Sequence, residues 1–292
     1  MFVYPEQKEV NIGGVKIGGQ QTTPCVLVGT IFYDGQKITD KQAGALIRRQ
    51  EELSKETGIP GLLDVFVNEE KDLKPRIDLA AKATEKPFFL DVPEADLRIK
   101  GLRYCQEAGL LDRVILNSVN MSMEKEEVAE LKKIGVPNVL VLAFNPMGNN
   151  LKGRIDILEN GAGVVDKGLL DVAKEIGAKR ILVDAAATPM HEGAGSSLRC
   201  IFVAKSKFGH PTGIGIHNVV SSWSWLKGRE RSFCDVSSNC LARLAGADFV
   251  LYGPIENAEK VFPVLAMTDV LLGEALEEEG LNPDKTHPYK KL

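Results

Sequence analysis

The chain has 292 residues, of which 44% are hydrophobic and 26% charged, and it carries a formal net charge of -4. This is the composition of a globular protein in water, with no basic excess to hold nucleic acid or an anionic membrane. The length allows one large barrel or two ordinary domains.

No apolar run reaches transmembrane length, and MFVYPEQKEV lacks the basic and apolar regions of a secretory signal. Five scattered cysteines (Cys25, Cys105, Cys200, Cys234 and Cys240) form no C-x-x-C pair. The odd count predicts reduced thiols and a cytoplasmic protein rather than a disulfide framework. The spacing of Cys234 and Cys240 matches no common zinc pattern.

In chain order, EVNIGGVKIGGQ (9–20) comes first. Alternating segments on either side of Gly13-Gly14 predict a hairpin with a tight primed turn, placed across the bottom of a barrel. Eight short apolar runs follow at 25–33, 61–67, 87–92, 113–120, 138–146, 180–186, 211–218 and 248–254. They are nearly continuous in Val, Ile, Leu and Phe, the pattern of strands buried on both faces. Between them lie helix-like stretches, among them 39–58, 94–109, 122–135, 167–178 and 195–209, several ending in a C-capping Gly. Strand–helix alternation repeated eight times predicts a single (β/α)8 TIM barrel over 1–292, with 1–24 as the hairpin segment. The Rossmann and Walker A fingerprints are absent. Residues 145–164, with Gly148, Gly153, Gly161 and Gly163, read as a mobile loop shaping the cleft. The polar tail 279–292 is expected to run along the surface or a partner subunit.

In such a barrel the site forms at the C-terminal ends of the strands. Those ends carry Asp91; Asn117, Ser118 and Asn120; Asn145; Asp184; and His217 and Asn218, followed by Ser221 and Ser222. No Lys lies at a strand end, which argues against a Schiff-base aldolase. No metal-ligand cluster is evident, so no metal is predicted. Two aspartates and two asparagines suit a flat heterocycle with a planar N–C–N unit, such as a pterin. Each residue has a plainer reading. Asp91 precedes Val92-Pro93-Glu94 and could arrange the next turn. Asn117 needs a partner, whether in the core or on a ligand. The alanines around Asp184 leave room for a ligand, and core packing explains them equally well. His217 reads as a satisfied core histidine. HEGAGSS (191–197) could hold an anion at a helix start, although ordinary N-capping is simpler.

The stretches VGTIFYDGQKI, ILNSVNM, FNPMGNNLKGRI, ENGAGVVDKGLL, VDAAATPMHEGAG, VAKSKFGHP, GIGIHNVVSSWSWL and DFVLYGPIENA resemble the H-subunit family of tetrahydromethanopterin S-methyltransferase. That family includes methylcobamide:tetrahydrofolate methyltransferases of bacterial glycine betaine demethylation, and the resemblance covers essentially the whole chain. It implies a pterin-binding TIM barrel that moves a methyl group between N5 of a tetrahydropterin and a corrinoid held by a partner protein. It implies a homodimer. Carried over by strand end, Asp91, Asn117 and Asp184 would bind the pterin, with Gly215 and Ser221 beside it, and Asn218 would face N5 as the catalytic residue. Trp223 and Trp225 would meet the corrinoid protein or pack on the rim. YDGQKITDKQAGALI passes almost directly from strand to helix, shorter than in the methanogen type. That favours tetrahydrofolate as the substrate, in methylamine or glycine betaine catabolism, over methyl-tetrahydromethanopterin. Two other readings remain: a dihydropteroate-synthase-like enzyme, whose basic residues would be Arg199 and Lys205, and a non-catalytic pterin-binding scaffold.

Overall fold

The computed structural model describes residues 6–291. The hairpin β1 (Glu9–Ile12) and β2 (Val15–Gly18) precedes eight barrel strands. These are β3 (Val26–Ile31), β4 (Gly61–Phe66), β5 (Phe88–Asp91), β6 (Val114–Val119), β7 (Asn138–Leu142), β8 (Arg180–Asp184), β9 (Thr212–Ile214) and β10 (Phe249–Pro254). The strands pair in parallel and in sequence, and β10 closes onto β3. Around them lie α1 (Asp40–Thr57), α2 (Glu70–Ala83), α3 (Ala95–Glu107), α4 (Lys125–Ile134), α5 (Leu151–Glu159), α6 (Leu169–Glu175), α7 (Ala194–Phe208), α8 (His217–Ser221), α9 (Gly228–Leu244) and α10 (Ala258–Glu278). This is the TIM barrel expected from the strand–helix alternation.

The continuous apolar runs have a simple cause. Alternate residues of each strand serve different cores. Val28, Leu62, Phe89, Ile115, Leu140, Leu182 and Phe249 fill the barrel, while Leu27, Leu63, Leu90, Leu116, Val141 and Val250 pack outward with the helices. Ile12 and Ile17 join the inner cluster, so the hairpin plugs the N-terminal end. Its turn places Gly13 at φ 51° and Gly14 at φ 85°, the left-handed conformation a primed turn demands.

The same end carries two buried ion pairs. Lys205 Nζ meets Asp248 at 2.6 Å and also donates to the carbonyls of Gly19 and Gly246. Arg243 meets Asp269 at 2.6 Å and donates to the carbonyls of Gln21, Thr23 and Ala247. Asp269 also accepts from the Cys25 N–H. These groups sew the segment after the hairpin to the barrel floor.

Two expectations need correction. Residues 145–164 are not one mobile loop, because the helix α5 and a 3-10 turn at Gly161–Gly163 occupy more than half of them. Asn150 caps that helix, and Arg154, Ile155, Ile157 and Leu158 give it a buried face. The tail does not simply trail along the surface. Asp284 N–H donates to the Thr22 carbonyl, His287 is fully buried, and Tyr289 packs against Gly273 of α10.

Candidate active site

Strand parity determines which side chains line the mouth. Thr30, Asp64, Asp91, Asn117 and Asp184 each stand two residues beyond an inner-core residue (Val28, Leu62, Phe89, Ile115 and Leu182), so they form the next layer up. The barrel interior therefore changes from apolar at the floor to acidic and amide-bearing at the mouth.

Asp64 organises this layer and is absent from the residues marked by the sequence. Its Oδ2 accepts from Thr30 Oγ1 at 3.0 Å, and its Oδ1 accepts from Asn117 Nδ2 at 3.1 Å. Asn117 thus finds its partner inside the barrel. The peptide between Asn117 and Ser118 is cis. Burial pushes the Asp64 carboxyl up to about 6, against the pull of those two bonds. Asp91 is raised well above the usual carboxylate range by burial and then by the charge of Asp64. The Asp91 carboxyl has no hydrogen-bond partner among the described residues. The turn that follows it is arranged by others: Glu94 caps α3 through the N–H groups of Asp96 and Leu97, and Arg98 holds the carbonyls of Val92 and Pro93.

Asp184 stands across the mouth on β8. Its Oδ1 accepts from the Ala186 N–H at 2.7 Å. Burial raises it to about 6, opposed by hydrogen bonds from the Ala186 and Gly215 N–H groups and by the Arg154 charge. Gly215 thus links Asp184 to the next segment.

That segment departs from the expected strand end. The strand stops at Ile214, and His217 and Asn218 open the short helix α8. The His217 ring lies against Gly253, where any Cβ would fall 2.4 Å from it, and its Nδ1 is 2.9 Å from Asp235. His217 is therefore a packed and partnered residue that anchors α8. Asn218 is exposed, and among the described residues its carboxamide has no hydrogen-bond partner. Its Nδ2 lies 3.6 Å from where a Gly215 Cβ would stand, so it overhangs the glycine that touches Asp184. Ser221 is also exposed, with its hydroxyl donating to the Asn218 carbonyl.

The remaining marked residues do other work. Asn145 accepts from the Met147 N–H and donates to the Gly153 carbonyl, fixing the entry to α5. Asn120 makes a turn with Ser122. The start of α7 has no side-chain cap; Gly193, at φ 98°, is packed close to Asn149. Trp223 is half-buried and Trp225 is 72% exposed, with ring centroids 5.5 Å apart. Met147, 83% exposed, stands on another loop of the same rim. Arg199 is exposed on α7, and Lys205 is buried at the floor, away from the mouth. Outside the barrel, a cleft of about 930 Å³ opens between α4 and α6, lined by Met121, Met123, Val128, Val165, Leu169 and Val172 among others.

Comparison with known proteins identifies the lineage. Residues 5–284 match the family described as tetrahydromethanopterin S-methyltransferase MtrH subunit. The H subunit of tetrahydromethanopterin S-methyltransferase from Methanothermobacter thermautotrophicus is 44% identical over 303 residues, covering 98% of each chain. The H subunit of the putative methyltransferase mtx from Methanosarcina barkeri is 42% identical over 309 residues, covering 100% of each. Among solved structures, dihydropteroate synthase of Yersinia pestis superposes with a TM-score of 0.64 at 14% identity, over 90% of this chain and 98% of that one. That likeness concerns the barrel fold alone. With a family match and whole-length relatives above 40% identity, the chain belongs to the tetrahydromethanopterin S-methyltransferase MtrH subunit family.

Proposed function

We propose that this protein is the pterin-side half of a methyl transfer, exchanging a methyl group between N5 of a tetrahydropterin and a cobamide carried by a partner protein. The observation that carries this reading is the acid and amide layer at the mouth. Asp64, Asp91, Asn117 and Asp184 converge there, and the unpartnered Asn218 carboxamide lies above them. Buried carboxyl groups that no cation of the described residues reaches at ion-pair distance suit a ligand that brings its own N–H donors. Asp91 and Asp184 accept from the 2-amino and ring N–H groups of the pterin, while Asn117, held by Asp64, fixes the ring plane.

The partner's cobamide supplies the methyl donor or acceptor. This chain's own task is alignment and control of N5. A neutral amide at Asn218 accepts from a protonated N5 or donates to its free lone pair, so it serves both sides of the transfer. Holding two reactants in line contributes several kcal/mol in favourable cases, and one oriented hydrogen bond about 1–3 kcal/mol more. Trp225, Trp223 and Met147 provide exposed apolar area on the rim where a cobamide protein would dock. The homodimer implied by family resemblance belongs to the same reading. Exposed Phe233, Leu241 and Leu244 on α9, beside Met267 and Leu271 on α10, offer area for it, and sedimentation velocity tests it.

The similarity to these H-subunit relatives favours tetrahydromethanopterin over tetrahydrofolate, reversing the preference drawn from the short strand-to-helix connection. The deciding assay follows cobalamin absorbance anaerobically with each pterin. Faster turnover with tetrahydromethanopterin supports this reading, and faster turnover with tetrahydrofolate restores the folate enzyme. Pterin binding without turnover, even with a cobamide protein present, leaves a scaffold.

A further inference from the structure

Arg154, on the first turns of α5, is fully buried, and among the described residues no carboxylate lies within ion-pair distance of it. Burying a guanidinium is costly unless its donors are matched. Here they are matched by backbone. Nη1 donates to the carbonyls of Ala185 at 2.9 Å and Ala186 at 2.5 Å, Nη2 donates to Thr188 Oγ1 at 3.0 Å, and Nε donates to the Asn149 carbonyl at 3.3 Å. Three of these four acceptors lie in the segment leaving β8, directly after Asp184.

The peptide unit between Ala185 and Ala186 explains the concentration. Its carbonyl accepts from Arg154 on one side, and its N–H donates to Asp184 Oδ1 on the other. Ala186 has φ 57°, a conformation unfavourable for a residue with a Cβ. Its own carbonyl is pinned twice, by Arg154 and by Ser197 Oγ at 2.9 Å. The strained turn that aims the N–H at Asp184 is thus held by a cation approaching from behind. Hydrogen bonds in series polarise one another, so the charge strengthens the bond to the carboxylate.

We propose that Arg154 is a positioning residue for pterin binding: through the Ala185–Ala186 peptide it orients the Asp184 carboxylate and favours its ionised form, leaving the carboxylate's remaining lone pairs to accept from the ligand. This rests on the reading that Asp184 binds the pterin. The charged and titratable groups around Asp184 are Arg154 from α5, Asp64 from β4 and Cys200 from α7, and only Arg154 favours its ionised form.

The test is calorimetric titration of the full-length protein with tetrahydromethanopterin and, in parallel, tetrahydrofolate, from pH 5 to pH 8. Asp184→Asn, Arg154→Met and Arg154→Lys are compared with the unmodified protein, each checked for folding by circular dichroism. Arg154→Met is expected to weaken binding about tenfold at pH 7, the usual scale for a lost charge-assisted bond. It also moves the acid limb of the binding curve to higher pH. Arg154→Lys keeps the cation, so the limb returns towards its normal place while part of the affinity loss remains. A purely structural Arg154 would lower the melting temperature and leave the pH profile of folded protein unmoved, and that result overturns the proposal. If Arg154→Met does not fold, Arg154→Lys and Thr188→Val carry the test through smaller shifts in the same direction. Unchanged binding in Asp184→Asn would instead remove Asp184 from the ligand site, a failure of the underlying reading that is distinguishable from failure of the positioning role.

Discussion

The two ends of this barrel treat buried charge in opposite ways. At the floor, Lys205 meets Asp248 and Arg243 meets Asp269, and the remaining N–H donors reach backbone carbonyls. At the mouth, Asp64 meets an amide and a hydroxyl, Asp184 meets backbone N–H groups, and the Asp91 carboxyl meets no hydrogen-bond donor among the described residues. Floor charges are satisfied by folding, as is Arg154 behind the mouth; on the proposed reading the mouth carboxyl groups are completed by the bound pterin. Conservative substitutions at the two ends should therefore move stability in opposite directions.

The largest effect is expected at the floor. Lys205→Met leaves Asp248 buried without its cation, and removing one partner of a buried pair costs about 3–5 kcal/mol. For a chain of this size that corresponds to a fall in melting temperature on the order of 10 °C. Pterin affinity of the protein that remains folded should be unchanged. A melting temperature within a degree or two of the parent would mean that the floor pairs are not what holds the N-terminal segment down.

At the mouth the sign reverses. Burial raises the Asp184 carboxyl from its ordinary 3.8 to about 6. Between those values the folded protein keeps a proton that the unfolded chain has released, so stability falls as pH rises through that window. Above it the ionised, buried group opposes folding. Asp184→Asn should therefore stabilise the protein at pH 7, by about 1–3 kcal/mol on the scale of a two-unit shift, while abolishing tight pterin binding. Below about pH 4 the gain should disappear, because both states are then protonated. Thermal melts at pH 4 and pH 7 check the sign; destabilisation at pH 7 would place Asp184 among the structural charges.

On the proposed reading, Asn218 separates binding from chemistry. Its carboxamide is exposed and unpartnered among the described residues, so Asn218→Ala should leave the fold and melting temperature intact. It should slow methyl transfer about tenfold to a hundredfold with little change in pterin affinity. Equal losses in affinity and rate would make it a binding group rather than one tuned to N5.

The floor and walls are legible in the sequence for a physical reason: strands buried on both faces leave uninterrupted apolar runs, and Gly13-Gly14 permits few turns other than the one formed. The mouth is less legible. Asp64 lies in the middle of GLLDVFV and reads as part of a strand, although a lone carboxylate in an apolar run is itself a signal that a partner or a ligand exists. Arg154 is hidden by the glycines around it, which suggest a loop where Asn150 starts a helix. The alternation of GIGI points to a strand that would carry Asn218 at its end; the chain turns helical at His217, whose ring takes the space left by Gly253. Each miss involves a side chain whose role depends on a contact far away in sequence, which local periodicity does not encode.

The smallest effect is expected on the rim. Trp225 is largely exposed and stacks at an angle on Trp223, which is half-buried. An exposed indole adds little to the folded state, since much of its surface stays in water. Against a docking protein it would desolvate fully, and aromatic anchors of this kind dominate interface energies. Trp225→Ala should raise the KM for a cobamide protein about fivefold to tenfold, roughly 1 kcal/mol. The rate with free cobalamin, the pterin affinity and the melting temperature should not change. Trp223→Ala provides the internal contrast, because its partly buried ring should cost stability as well. If Trp225→Ala slows free cobalamin and the carrier protein equally, the indole touches the reacting cofactor rather than the protein around it. If neither slows, the rim tryptophans belong to packing and play no part in docking the carrier.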